Sequence, residues 1–184
     1  MSEPWLVVID AQRIFADPSS AWASPQWPDA AQRIASLLPA FAGRTIVTRW
    51  IPPRPTQREG SWAAYMAAWP FADRDPDDPM FDLVEAVRPA VTAGAFVVDA
   101  PTFGKWEAIA AVTGPAPTLV VAGVATDCCV ISTVLPAADA GATITVVADA
   151  CAGSSAEHHA AAVTVMGLYP PQVLVSSSAE ALTR

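Results

Sequence analysis

A chain of 184 residues with 53% hydrophobic side chains is long enough for one packed domain and too apolar for a disordered one. Its formal charge of -8 excludes nucleic acid and an anionic membrane surface as the main partner, because both select for clustered Lys and Arg. No apolar run approaches the roughly 18 to 20 residues that span a bilayer, and Met1-Ser2-Glu3-Pro4 lacks the positive segment of a secretory signal, so a cytoplasmic protein is expected.

Trp5 to Ile9 reads as a buried strand that ends at Asp10. Asp29 to Phe41 has helical spacing, with Ile34, Leu37, Leu38 and Phe41 on one side and Gly43 closing it. Thr45 to Thr48 is a second strand. From residue 49 to 79 the pattern changes to a loop insertion dense in Pro, Trp and charge, with a short helix expected over Ser61 to Trp69 and an exposed turn from Asp73 to Pro79. Its aromatics either wall a pocket or cover a sheet edge or an interface between copies.

Phe81 to Val87 reads as a helix, and Ala95 to Val98 as a third strand followed by Asp99. Lys105, the only lysine of the chain, lies just past that strand and before a helix expected over Trp106 to Val112. Leu119 to Ala122 is a fourth strand. Gly123-Val124-Ala125-Thr126-Asp127 then reads as a tight turn into a helix continuing over Ile131 to Ala140. Thr143 to Ala148, Ala156 to Met166, Val173 to Val175 and Ala179 to Leu182 complete the alternation. It predicts a single α/β domain over residues 1 to 184: three layers, with a doubly wound parallel sheet of five to six strands between helices.

Cys128 and Cys129 sit where a helix begins, so the positive end of its dipole is expected to favour thiolate. Free thiols fit a reducing compartment, and a vicinal redox pair is the weaker reading of the two cysteines. Asp10, Lys105 and the cysteines all follow strand ends, which places a carboxylate, an ammonium and a thiol on one rim of the sheet. Together they suit acyl transfer: Asp10 moves the proton, Lys105 supports the charges and the thiolate attacks a carbonyl carbon. No histidine is needed, and His158 and His159 read as exposed or capping residues. Cys151 reads as a small buried hydrophobe, and Asp127 as the cap of the helix it opens.

Val8-Ile9-Asp10-Ala11-Gln12, Phe103-Gly104-Lys105-Trp106 and Gly123-Val124-Ala125-Thr126-Asp127-Cys128-Cys129-Val130, in that order, resemble the isochorismatase-like cysteine hydrolase superfamily. The resemblance implies that the pattern Thr-Asp-x-Cys-Val places the nucleophile at Cys129, with Cys128 beside the pocket. It further implies Asp10 and Lys105 as the other catalytic residues, a cis peptide between Val124 and Ala125, and an oxyanion hole from the backbone N–H groups of Ala125 and Cys129. Relatives of this fold commonly form dimers or tetramers, so a homo-oligomer is expected.

The departures narrow the reading. Nicotinamidases of this superfamily carry metal-binding histidines after the second strand, whereas this chain reads Thr48-Arg49-Trp50-Ile51-Pro52, so no catalytic metal and no cofactor are expected. A thiol nucleophile favours hydrolysis of a small amide, carbamoyl or related C–N bond, in the N-carbamoylsarcosine amidase-related branch. The alternatives are a non-catalytic or regulatory small-molecule-binding member of the fold and a vinyl ether hydrolase of the isochorismatase type. Phe15, Trp22, Trp50, Trp62, Tyr65, Phe103, Trp106 and Cys128 are the candidates for the substrate pocket. Arg49, Arg54 and Arg58 either bind a substrate carboxylate or stay solvated.

Overall fold

The computed structural model describes residues 3–183. Six parallel strands form one sheet in the order β3-β2-β1-β4-β5-β6: β1 (Trp5–Ile9), β2 (Thr45–Trp50), β3 (Phe96–Ala100), β4 (Thr118–Val124), β5 (Thr143–Ala152) and β6 (Val173–Ser176). The chain begins in the middle of the sheet, moves outward through β2 to β3, and then crosses to β4 on the other side of β1. Strand order therefore reverses between β1 and β4, where parallel α/β sheets open a crevice at the carboxyl ends of their strands.

Alternation along β1 explains why both faces are covered. Leu6 and Val8 enter one core with Val47, Trp27, Ile34 and Leu37, while Val7 and Ile9 enter the other with Ile46, Val121, Ile109, Val134 and Met166. Burial on both faces is why the central strands read as continuous apolar runs. The helices are α1 (Arg13–Ala16), α2 (Trp27–Leu37), α3 (Trp62–Ala68), α4 (Arg88–Thr92), α5 (Trp106–Thr113), α6 (Ile131–Asp139), α7 (Ala156–Met166) and α8 (Ser178–Ala181). None of the described helices is long and apolar enough to cross a membrane.

Three expectations change. The helix expected over Phe81 to Val87 is replaced by two single turns, Pro79–Phe81 and Glu85–Val87, around extended backbone. The intervening residues bond outward: the Arg13 N–H donates to the Asp82 carbonyl at 2.9 Å, and the Val84 N–H to the Ala11 carbonyl at 2.9 Å. Helical spacing there reflects three apolar anchors on the turn after β1. The helix expected from Asp29 to Phe41 begins at Trp27 and tightens into a 3-10 turn over Leu38–Phe41, where Pro39 has no N–H to donate. The fifth strand, expected to end at Ala148, runs on to Ala152 and includes the buried Cys151.

Gly123 fixes the close pairing of β1 and β4. It has φ of 121° and pairs with Ile9, and a Cβ there would stand 2.2 Å from the Ile9 carbonyl oxygen. Only glycine combines that backbone with that approach.

Candidate active site

Asp10 leaves β1 in the left-handed region, with φ of 46°, and is fully buried. Thr48 on the neighbouring strand β2 grips it twice: the Thr48 hydroxyl accepts from the Asp10 N–H at 3.1 Å and donates to Asp10 Oδ1 at 2.7 Å. Asp10 Oδ2 faces Lys105 Nζ at 3.0 Å, and both side chains have no exposed surface. Two of the three ammonium protons go to the carbonyls of Thr102 at 2.6 Å and Phe103 at 2.9 Å. Among the described residues, Asp10 Oδ2 is a buried oxygen with no aligned hydrogen-bond donor.

Lys105 reaches this position from β3, at the sheet edge, because its loop is fastened to α6. The Lys105 N–H donates to the Thr133 hydroxyl at 3.0 Å, and that hydroxyl donates to the Cys129 carbonyl at 2.7 Å. Gly104 permits the approach, since a Cβ there would lie 2.6 Å from the Ser132 carbonyl oxygen. One threonine thus ties the backbone of the lysine to that of the cysteine.

Cys128 and Cys129 occupy a single π-helical turn, Thr126–Val130, between β4 and α6. The Val124–Ala125 peptide bond is cis, and the Ala125 carbonyl accepts from the N–H groups of Cys128 and Val130 at 3.0 Å each. Position at a helix start does not lower the Cys129 thiol, contrary to expectation. Its hydrogen bond with Cys128, its burial and the nearby Asp10 charge push it well above the ordinary thiol range, against the pull of Lys105. Cys128 moves the opposite way, lowered first by that hydrogen bond, with burial and Asp127 opposing. A nucleophile at Cys129 therefore needs a base at the moment of attack. All three cysteines are free thiols.

Above the cysteines lies a cavity of about 330 Å³. Phe15, Trp22, Trp50, Tyr65, Phe103, Cys128, Cys129 and Ala125 line it. Two expected wall residues do not. Trp62 stands behind the wall, with its ring 5.5 Å from that of Tyr65 and 5.0 Å from that of Phe103. Trp106, the first residue of α5, borders a separate groove beside Pro101 and Glu107 and packs on the other core. Sequence reasoning missed Ser24 and Ser154 as wall residues and left Trp69 undistinguished among the loop aromatics. The turn-forming composition around both serines carries no signal that would have singled them out.

Asp127 also lines the cavity and does not cap the helix it precedes. Its two oxygens accept from the Ser154 N–H at 2.8 Å and the Ser154 hydroxyl at 2.7 Å. The histidines support this rim: His158 Nδ1 lies 2.8 Å from Ser154 Oγ, and His159 Nδ1 lies 2.9 Å from Thr126 Oγ1. Two of the loop arginines are engaged away from the cavity. Arg49 forms a two-pronged pair with Asp99 at 2.7 Å, and Arg58, expected to be solvated, pairs with Asp73 and reaches the Pro53 carbonyl at 3.0 Å.

No group of three His, Cys, Asp or Glu side chains among the described residues is arranged to hold a metal ion. Thr48-Arg49-Trp50-Ile51-Pro52, at the end of β2, offers no histidine or carboxylate beside Asp10.

Residues 4–180 match the family model of the isochorismatase domain. A cysteine hydrolase from Pseudomonas syringae superposes with a TM-score of 0.79 at 20% identity, covering 100% of this chain and 97% of that one. An isochorismatase-like hydrolase from Alkaliphilus metalliredigens gives 0.79 at 13% identity, covering 99% and 98%. A nicotinamidase from Bacillus subtilis gives 0.73 at 17% identity, covering 96% and 100%. At these identities the superpositions establish the fold alone. Among curated proteins, no sequence matches the chain.

Proposed function

The chain belongs to the isochorismatase family, and from that premise we propose that it is a metal-independent cysteine hydrolase that cleaves a small amide, carbamoyl or related C–N bond. The observation that carries this reading is the buried Asp10 carboxylate, with Oδ1 held by Thr48 and Oδ2 3.0 Å from Nζ of Lys105, whose loop Thr133 ties to the backbone of Cys129. A group so placed, beside a thiol that burial keeps protonated, is suited to take that proton.

In this scheme the Cys129 proton passes to Asp10 while Sγ bonds to the carbonyl carbon. The developing oxyanion rests on the N–H groups of Ala125 and Cys129, both of which border the cavity. Asp10 then returns the proton to the leaving nitrogen, the C–N bond breaks, and an acyl thioester remains on Cys129. Water gives a proton to Asp10 and its oxygen to the carbonyl carbon, and the acid leaves. The proton on Asp10 restores the thiol. Lys105 contributes charge rather than a proton, because its aligned hydrogen bonds end on Thr102 and Phe103.

Rapid quench of the protein with a panel of primary and carbamoylated amides, followed by mass spectrometry, is expected to trap an acyl adduct on Cys129. Full hydrolysis by a Cys129→Ala variant would sink the proposal.

A further inference from the structure

We propose that the substrate carries an organic ammonium group and that Asp127 is the residue that selects it. This rests on the reading of the cavity above Cys129 as the substrate site. The chemical inventory of the cavity points to a cation. Phe15, Trp22, Trp50, Tyr65, Trp69 and Phe103 supply six aromatic side chains, and the one charged side chain among its described lining residues is the carboxylate of Asp127.

Among the described residues no cationic side chain is paired directly with that carboxylate; His158 reaches it only through the Ser154 hydroxyl, and His159 is held on Thr126. The donors to Asp127 are the neutral backbone N–H and hydroxyl of Ser154. Arg49 and Arg58 are paired with Asp99 and Asp73, and Lys105 is spent on Asp10 beneath the cavity floor. The serine contacts fix the carboxylate in place, and each oxygen keeps a second lone pair for a ligand.

The wall is equally suited to a cation. The ring of Trp22 is surrounded by those of Phe15 at 6.1 Å, Trp50 at 5.4 Å, Tyr65 at 6.2 Å and Trp69 at 5.5 Å. Rings so spaced pack on one another as a wall, and those of their electron-rich faces that border the cavity attract ammonium groups, more so where water is excluded. A substrate carboxylate would instead lose its hydration without gaining a counter-charge and would face Asp127. The order of preference is therefore cation over neutral isostere over anion.

Three primary amides of similar size test this: (carbamoylmethyl)trimethylammonium, its neutral isostere 3,3-dimethylbutanamide, and malonamate. Binding is read by tryptophan fluorescence in Cys129→Ala, with and without Asp127→Asn, and turnover in the protein with its cysteine intact. The cation is expected to bind at least about tenfold more tightly than the neutral amide, and malonamate more weakly than either. Asp127→Asn is expected to reduce the ratio of cation affinity to neutral-amide affinity severalfold. If Asp127→Asn does not fold, added salt must weaken the cation and not the neutral probe.

Equal binding of cation and neutral amide, binding of no probe, or a preference that survives both Asp127→Asn and salt overturns the inference. Acyl adducts on Cys129 without charge preference would refute the selectivity and leave the hydrolase standing. Selective binding of the cation with no cleavage of any amide would refute the hydrolase and leave the selectivity.

Discussion

Replacing Thr48 by valine removes one hydroxyl and keeps the side-chain shape, so it isolates what holds Asp10. In the native protein that hydroxyl accepts from the Asp10 N–H and donates to Oδ1, and both residues are fully buried. Loss of a hydrogen bond to a charged acceptor costs about 1.5 to 3 kcal/mol, and a buried N–H left without a partner adds about 1 to 3. The two share one hydroxyl, so roughly 3 to 5 kcal/mol is expected, within the 5 to 15 kcal/mol by which such domains are stable. The variant should fold, with a lower urea midpoint. With Asp10 free to turn, proton removal from Cys129 should slow by about a hundredfold, the scale of loss when a reacting group is displaced by about 1 Å. The rate of iodoacetamide alkylation at Cys129, followed by mass spectrometry, reads this without a known substrate. For amides that are turned over, kcat should fall and KM should hold, because Thr48 does not border the cavity. Thr48→Ser should restore the rate. Alkylation at the native rate in Thr48→Val, or failure of serine to rescue, would refute the reasoning.

Two further predictions concern buried polar groups away from the reacting atoms. Burial raises the Cys151 thiol from 9.0 to about 12. Above pH 9 the unfolded chain releases this proton and the folded chain keeps it, so the folded form binds more protons and stability falls as pH rises from about 9 to about 12. The fall approaches about 1.4 kcal/mol per pH unit, about 4 kcal/mol over the window. Urea melts between pH 9 and 10.5 should show a slope that is shallower by one proton in Cys151→Ala, and equal slopes would count against the assignment. Gln12, also fully buried, accepts from the Trp50 N–H at 2.8 Å and donates to the carbonyls of Trp50 at 3.0 Å and Phe81 at 2.9 Å. Gln12→Leu leaves three groups unpaired and should cost roughly 3 to 6 kcal/mol in urea melts. A loss below about 1 kcal/mol would show that the cross-link between β1, β2 and the loop is dispensable.

What could be read in the sequence follows the range of the interactions involved. Strands buried on both faces announce themselves locally, as Leu119 to Ala122 does, so the parallel α/β sheet was legible from alternation alone. Phe81 to Val87 misled because Phe81 and Val87 are core anchors at helix-like spacing, while the backbone between them bonds to Ala11 and Arg13, some 70 residues away, which periodicity cannot see. The convergence of Asp10, Lys105 and Cys129 on one rim followed from their places after strand ends. Their finer order did not. Nothing in Thr48 or Thr133 marks them as the residues that aim Asp10 and anchor Lys105, because an ordinary strand threonine and an ordinary helix threonine look the same. The cavity wall was partly legible: aromatic density in the 49–79 segment pointed to Trp50 and Tyr65, and both line the cavity. Whether Trp62 faced inward or stood behind Tyr65 depended on packing, which composition does not encode. Asp127 reads locally as a cap, and only the return of β5 toward Ser154 redirects it to the cavity.

The route by which Lys105 arrives has a consequence for how the site is held together. Asp10 and the cysteine turn follow β1 and β4, which are adjacent, so their proximity comes with the sheet itself. Lys105 follows β3, two strands away from β1 at the sheet edge, and no ladder hydrogen bond places it. Its position depends on three local devices: the absence of a Cβ at Gly104, the Thr133 hydroxyl and the carbonyls of Thr102 and Phe103. An ammonium buried without its carboxylate is strongly disfavoured, so Asp10 and Lys105 must enter the interior as a pair. The native placement of the loop after β3 therefore depends on Asp10, gripped by Thr48. The pair is neutral as a whole, which leaves Asp127 as the one charged side chain among the described residues lining the cavity. Assembly of the proposed proton carrier and the charge preference of the pocket are in this way two results of one buried ion pair.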